Sequence, residues 1–270
     1  MVESSQVPDR DASDRPITMG LTPGAGVTIR TIADLDSYLG AVADAGFRAV
    51  SLSAGQLGGD PASAARLLRT HGLACSDLMS VRVTRDEDAS LEAARALRPA
   101  IEAVGAAAVL TMLWTRVSEE SLDRLGRVAD LLGVPVALEF APGPVATLEA
   151  ADAIVGVVGP DRATILADTF HFFRGGSTRA MLESVPVEHI GIVQFNDALP
   201  PESDDYMHET IDRRAWPGDG EFDLDWFTAT LRQRGWHGVV AVEVLSAELR
   251  RLPVAEYARR GYQTTVPYWS

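Results

Sequence analysis

Four oxygen-bearing side chains, Glu139, Asp168, Gln194 and Glu243, stand at the ends of short apolar runs: VALEF, ILAD, IVQF and VAVEV. A carboxylate buried alone in apolar surroundings is costly, so it is paired, protonated or given a metal ion. Three carboxylates brought together repel one another, and a divalent cation would offset most of that charge. Taken singly, each acid also fits a salt bridge with an arginine or a cap on the following helix. Likewise Asn196-Asp197 fits a turn, His171 a hydrogen-bonded core histidine, and Trp114 and Trp216 packing positions. Four polar donors ending four successive runs is nevertheless more than packing alone requires.

The elements that would position these residues alternate. ITMGL (17–21) is a short apolar run, and Thr31 opens a stretch in which Ile32, Leu35, Leu39 and Val42 share one helical stripe, ended by Gly46. RAVSL, a helix over Asp60–His71 closed by Gly72, and LACSDLMS follow. Next come a helix carrying Leu91, Ala94, Leu97, Ile101 and Val104, then AAVLTML. Ser118 is the N-cap expected for SEESLDRLGRVADLLG, which leads into VPVALEF. The plan repeats through TLEAADAIVGVVG, ATILAD, a short helix near 177–184, HIGIVQF, DLDWFTATLRQRG, VVAVEV and a terminal helix from Pro253. Eight alternations with near-continuous apolar strands predict an α/β fold, a single-domain (β/α)8 TIM barrel over 17–262. It would be preceded by a flexible segment (1–16) and followed by a tail (263–270) that either docks on its own barrel or forms a subunit contact. In such a barrel the C-terminal strand ends face the active site. That brings the four donors, and Trp114 at the fourth strand's end, to one mouth. The longest irregular stretch, Ala198 to Gly220, lies beside them, and a loop of that length is usually functional.

Composition narrows the chemistry. All 24 basic residues are arginine, so Schiff-base aldolases, internal-aldimine enzymes and P-loops are excluded. Gly24 and Gly26 lack the third glycine of a dinucleotide loop. The single cysteine, Cys75, forms no intrachain disulfide; it reads as a buried structural thiol in a reducing, cytoplasmic setting. A net charge of −14 argues against nucleic acid as partner. No apolar run is long enough to cross a membrane, and the polar N-terminus predicts neither a signal nor a transit peptide.

The motifs LEF with Glu139, LADTFHFFRGG with Asp168 and His171, IVQFNDA with Gln194, RRAWPGDGEFDL with Arg214 and GVVAVEVLS with Glu243 resemble those of the xylose isomerase-like TIM barrel superfamily, the sugar phosphate isomerase/epimerase group. The resemblance spans about residues 17–260 and is strongest after Val109. It implies one divalent ion, Mn²⁺, Mg²⁺ or Co²⁺, held by Glu139, Asp168, Gln194 and Glu243. Many epimerases of the group have histidine where Gln194 stands. Glutamine makes the site all-oxygen, which favours Mn²⁺ or Mg²⁺ over zinc, and it resembles the 3-dehydroshikimate dehydratases and hydroxypyruvate-isomerase-like members.

The function implied is a metal-dependent isomerase or epimerase acting on a ketose or related polyhydroxy ketone through a metal-held cis-enediolate. Glu139 and Glu243 would exchange the proton from opposite sides, with His171 bonded to a substrate oxygen. Arg214 would clamp an oxygen or carboxylate, Trp114 and Trp216 would stack on the carbon skeleton, and Asp197, Tyr206 and His208 are further candidate contacts. Two alternatives remain open: a dehydratase of the 3-dehydroshikimate type with His171 as acid, and a non-catalytic sugar-binding barrel. Endonuclease IV shares the fold, but its chemistry needs a histidine-rich zinc cluster and a basic face, which five scattered histidines do not supply. The resemblance also implies a small polyhydroxylated substrate and a homodimer or homotetramer.

Overall fold

Every long helix but the last starts at a side chain that satisfies free backbone amides; the last opens at Pro253 without one. Thr31 and Asp34 form a reciprocal capping box, and Asp60, Asp86, Ser118, Thr147 and Asp223 each accept from an amide in the first turn. Left-handed glycines Gly46, Gly72, Gly105 and Gly133 end four of these helices and turn the chain back to the sheet. The structure, a computed structural model, describes residues 17–24 and 27–270. The segment expected to be flexible (1–16) and Gly26 lie outside the described residues.

The first half of the chain runs β1 (Thr18–Leu21), α1 (Ile32–Ala45), β2 (Ala49–Ser53), α2 (Pro61–His71), β3 (Ala74–Val83), α3 (Glu87–Val104), β4 (Ala108–Leu113) and α4 (Glu119–Leu132). The second half runs β5 (Val136–Glu139), α5 (Leu148–Val158), β6 (Ala163–Asp168), α6 (Thr169–Arg174), α7 (Arg179–Ser184), β7 (Ile190–Phe195), β8 (Asp197–Ala198), α8 (Tyr206–Asp212), β9 (Arg214–Ala215), α9 (Leu224–Gln233), β10 (Val239–Val242) and α10 (Val254–Trp269). Eight parallel strands close in the order β1-β10-β7-β6-β5-β4-β3-β2, which is the TIM barrel expected. The sheet buries apolar side chains on both faces. Val109, Val136, Leu138, Ile165 and Val193 pack outward against the helices, while Leu110, Ala137, Leu166, Ile192 and Ala241 fill the barrel.

Cys75 on β3 is buried, and burial pushes its thiol well above the ordinary range, as expected of a structural cysteine. No helix among the described residues is long and apolar enough to cross a membrane.

Two expectations change. The boundary placed after residue 262 is absent, because α10 continues to Trp269. That indole is buried against Phe195 and Trp236, each with ring centroids 5.4 Å away, so the last turns dock on their own barrel. The stretch Ala198–Gly220 is also not irregular throughout. β8 and β9 pair antiparallel, Asp197 opposite Ala215 and Ala198 opposite Arg214, with α8 between them. This hairpin is pinned by the buried Asp197 carboxylate, which accepts from the amides of Ala198, Gly218, Gly220 and Phe222 at 2.8–3.1 Å. Such a carboxylate organises backbone and is unavailable to a substrate.

Gly220 must lack a side chain here, since a Cβ would overlap the Ala198 carbonyl and the Asp197 carboxylate. Gly220→Ala is therefore expected to destabilise the protein by about 2 kcal/mol, read as a lowered urea midpoint. An unchanged midpoint would show that the Asp197 cradle does not hold the hairpin.

Candidate active site

Strand register brings the expected residues together. Asp168 pairs with Gln194 across β6 and β7, Glu139 ends β5, and the amide of Glu243, just past β10, bonds to the Phe195 carbonyl. All stand at the C-terminal rim of the barrel. Glu139, His171, Arg214 and Glu243 line one cavity of about 690 Å³. Asp168 and Gln194 lie beneath it, fully shielded from solvent.

Asp168 is the hub. Its Oδ1 accepts from the Phe170 amide, capping α6, and from Asn196 Nδ2, both at 2.8 Å. Its Oδ2 accepts from Arg214 Nη1 at 2.7 Å. Burial alone would raise this carboxyl's pKa, but Arg214, His171 and the two hydrogen bonds outweigh burial and hold it below its ordinary value. The same Nη1 donates to Glu243 Oε2 at 2.9 Å, and Gln194 Nε2 donates to Glu243 Oε1 at 3.1 Å. Glu243 nonetheless sits at about 8, because burial and the neighbouring Asp168 and Glu139 outweigh Arg214. Burial disfavours the His171 imidazolium, yet Asp168 and Glu139 raise its pKa overall. The His171 Nε2 lies 3.5 Å from Glu139 Oε1 and 3.7 Å from Asp168 Oδ2, and its Nδ1 is 2.6 Å from the Tyr206 hydroxyl.

Three carboxylates face the Arg214 guanidinium and His171, and the raised pKa of both Glu243 and His171 shows that negative charge dominates there. Glu139, Asp168 and His171 each offer one ligand atom, all within 4.8 Å of one another. Two buried acceptors close by, Gln194 Oε1 and Asn196 Oδ1, have no hydrogen-bond partner. Excess negative charge, converging ligand atoms and orphaned amide oxygens fit a divalent cation. The arrangement departs from the sequence expectation in two respects: Arg214 lies between Asp168 and Glu243, and His171 joins the ligand-bearing group.

Three expected contacts do not reach the cavity. Trp216 is buried behind the rim, its ring 4.9 Å from that of Tyr257, so it packs the barrel against α10 and not a substrate. Asp197 is spent on the loop amides. His208 lies on the surface between Glu202 and Asp212 at 3.3 Å from each. Trp114 does line the cavity, but Arg82 covers one ring face, 4.2 Å from the centroid. Sequence reasoning missed the Asn196 bond to Asp168. It also missed Met79, Arg82 and Met112 on the cavity wall, where only the alternation within β3 and β4 offered a signal.

A family profile described as xylose isomerase-like TIM barrel matches residues 39–265. An inosose isomerase from Bacillus velezensis is 34% identical over 151 residues, 55% of this chain and 53% of its own length. A 3-dehydroshikimate dehydratase from Pseudomonas putida is 26% identical over 100 residues, 37% of this chain and 16% of its own length. The chain thus spans about half the length of the inosose isomerase, and less of the dehydratase. Among solved structures, the IolI protein with a bound zinc atom superposes with a TM-score of 0.82 at 23% identity, over 94% of this chain and 98% of that one. At that identity the likeness shows the fold.

Replacing Arg214 with methionine removes the buried cation that holds Asp168 and Glu243. In EDTA the variant is expected to lose about 3 kcal/mol of stability, measured by urea unfolding, and added Mn²⁺ should restore part of the loss. A variant as stable as the parent in EDTA would show that the carboxylates do not depend on that guanidinium.

Proposed function

The chain belongs to the xylose isomerase-like TIM barrel family, and on that premise we propose that it is a divalent-metal-dependent isomerase or epimerase of a polyhydroxy ketone. One observation carries the reading: Glu139 and Glu243 face the same cavity, together with His171 and Arg214. The two glutamates are separated by β6 and β7, three strand steps around an eight-strand barrel, so they stand on nearly opposite walls. That is the disposition a proton transfer across a planar intermediate needs.

The ion would be held by Glu139, Asp168, Gln194 and Glu243, with His171 beside it. When bound, it would polarise a carbonyl and make the adjacent C–H more acidic. Mn²⁺ or Mg²⁺ suits the oxygen donors, while a nearby imidazole and the zinc-bound relative keep zinc among the metals to be assayed. The chain's own groups do the rest. One glutamate takes the proton from the α-carbon, and the other returns a proton to the opposite face or to the neighbouring carbon. Their surroundings are unequal: Glu243 accepts from Arg214 and Gln194, while Glu139 lies 3.5 Å from the His171 ring. His171, oriented by Tyr206, would donate to a substrate oxygen. Arg214, whose Nε and Nη1 are bonded to Thr210, Asp168 and Glu243, would receive a second oxygen at Nη2.

The match to the dehydratase favours a second reading, in which the same α-proton removal is followed by loss of a β-hydroxyl with His171 as its acid. Both start alike and differ in product.

The metal-loaded protein, incubated in D₂O with hydroxy ketones headed by an inosose, is expected to place deuterium at the α-carbon of the accepted substrate. Glu139→Gln and Glu243→Gln should each slow this by about 10²- to 10⁴-fold, followed by NMR and mass spectrometry. Loss of one water with a gain in ultraviolet absorbance would mark the lyase. Absence of exchange and of dehydration across the panel would remove the enzymatic reading.

A further inference from the structure

The lining of the cavity divides by strand. Going round the barrel, β10, β7, β6 and β5 are neighbours, and β4 and β3 follow β5. The first group brings ionisable side chains: Glu243 just past β10, His171 in the helix after β6 and Glu139 at the end of β5. β3 and β4 bring Met79, Leu110 and Met112, with Trp114 just past β4. These two methionines and the leucine also belong to the apolar filling of the barrel. The polar residues that β3 adds to the wall, Ser80 and Arg82, are both exposed, and Arg82 lies against the Trp114 ring.

The carbon-rich side continues out to the mouth. Trp114 is 53% exposed even with Arg82 over one ring face, and Met207 on α8 is 58% exposed; both line the same cavity. Single exposed apolar side chains are ordinary on a protein surface. Two that share a cavity with inward-facing apolar residues of the strands mark a place where a ligand takes carbon surface out of water. The cavity, about 690 Å³, falls among pockets that enclose drug-sized molecules. Methionine suits such a wall, because its unbranched thioether adapts to the carbon skeleton it meets. A hydroxyl placed against Met79, Leu110 and Met112 would give up its water partners and gain none.

We propose that the β3–β4 side of the cavity binds an uncharged hydrocarbon group, so that the substrate is a hydroxy ketone with its oxygens gathered at one end and an alkyl or aryl group at the other. The proposal rests on the metal-centred reading above and narrows it. The vicinal oxygens lie toward Glu139, His171 and Glu243. The carbon end runs along Met79, Leu110 and Met112 to Trp114 and Met207. A ring hydroxylated on every carbon has no such end.

Catechol is a stable planar mimic of a cis-enediol, and a substituent at its 4-position adds only the carbon end. Calorimetric titration of the Mn²⁺-loaded protein under argon would compare catechol with its 4-methyl, 4-ethyl and 4-propyl derivatives. 4-(Hydroxymethyl)catechol serves as the polar counterpart of the ethyl compound. Affinity is expected to rise about threefold for each added carbon, and the hydroxymethyl compound to bind about fivefold or more weakly than the ethyl one. Met112→Gln and Met207→Gln should each shrink the propyl-to-catechol ratio by about threefold or more, while Met112→Leu should keep it. Met207 is exposed, so its replacement alters the wall without disturbing the core. An affinity that does not grow with the chain, a hydroxymethyl compound as tight as the ethyl one, or a gain that survives in both glutamine variants overturns the hydrocarbon site alone. Catechol that fails to bind, or that binds without the metal, overturns the reading on which the site rests.

Discussion

Negative charge gathered without enough positive charge is the constraint on which this structure turns. Barrel closure places Glu139, Asp168 and Glu243 at one rim, each at the end of an apolar strand, with Asp168 fully shielded from solvent. Such a cluster survives only with compensation. Arg214 supplies part of it by bridging Asp168 and Glu243. Burial and the neighbouring acids still push the Glu243 carboxyl up to about 8, and two buried amide oxygens have no donor to accept from. A divalent ion would complete the balance, and its Lewis acidity is what enolisation of a hydroxy ketone calls for.

The surrounding structure is arranged to keep that balance in place. Asp168 is fixed by the α6 amide and by Asn196 before it meets Arg214. Arg214 is delivered by the β8–β9 hairpin, which is itself held by the Asp197 carboxylate and the bare backbone of Gly220. His171 is oriented by Tyr206, which starts α8 in the same hairpin insertion. The loop on the rim therefore both supports the site and lines it, through Tyr206, Met207, Thr210 and Arg214.

Much of this was legible in the sequence, for identifiable reasons. Apolar runs alternating with helical stripes fix the order of strands and helices. The position of an acid at the end of such a run places it at the C-terminal rim once the barrel closes. Glu139, Asp168, Gln194 and Glu243 were found that way. The pairing of Arg214 was not legible, because it depends on how the stretch Ala198–Gly220 folds back. Trp216 and His208 sit in the same insertion, and the hairpin register turns one inward behind the rim and the other out to solvent. Asn196 looked like a turn residue, since its bond to Asp168 crosses between strands. Arg82 escaped because SVRV alternates in a way that either face of β3 could accommodate.

We propose that the carboxylate cluster binds a cation, and a crystal structure of the Mn²⁺-soaked protein with anomalous data at the manganese edge would decide it. One ion per chain is expected, bound by Glu139 and Asp168 with Gln194 Oε1 and Glu243 turned toward it, and Arg214 no longer spanning Asp168 and Glu243. A map with no anomalous peak at the rim, and Arg214 still bridging the two carboxylates, would contradict it.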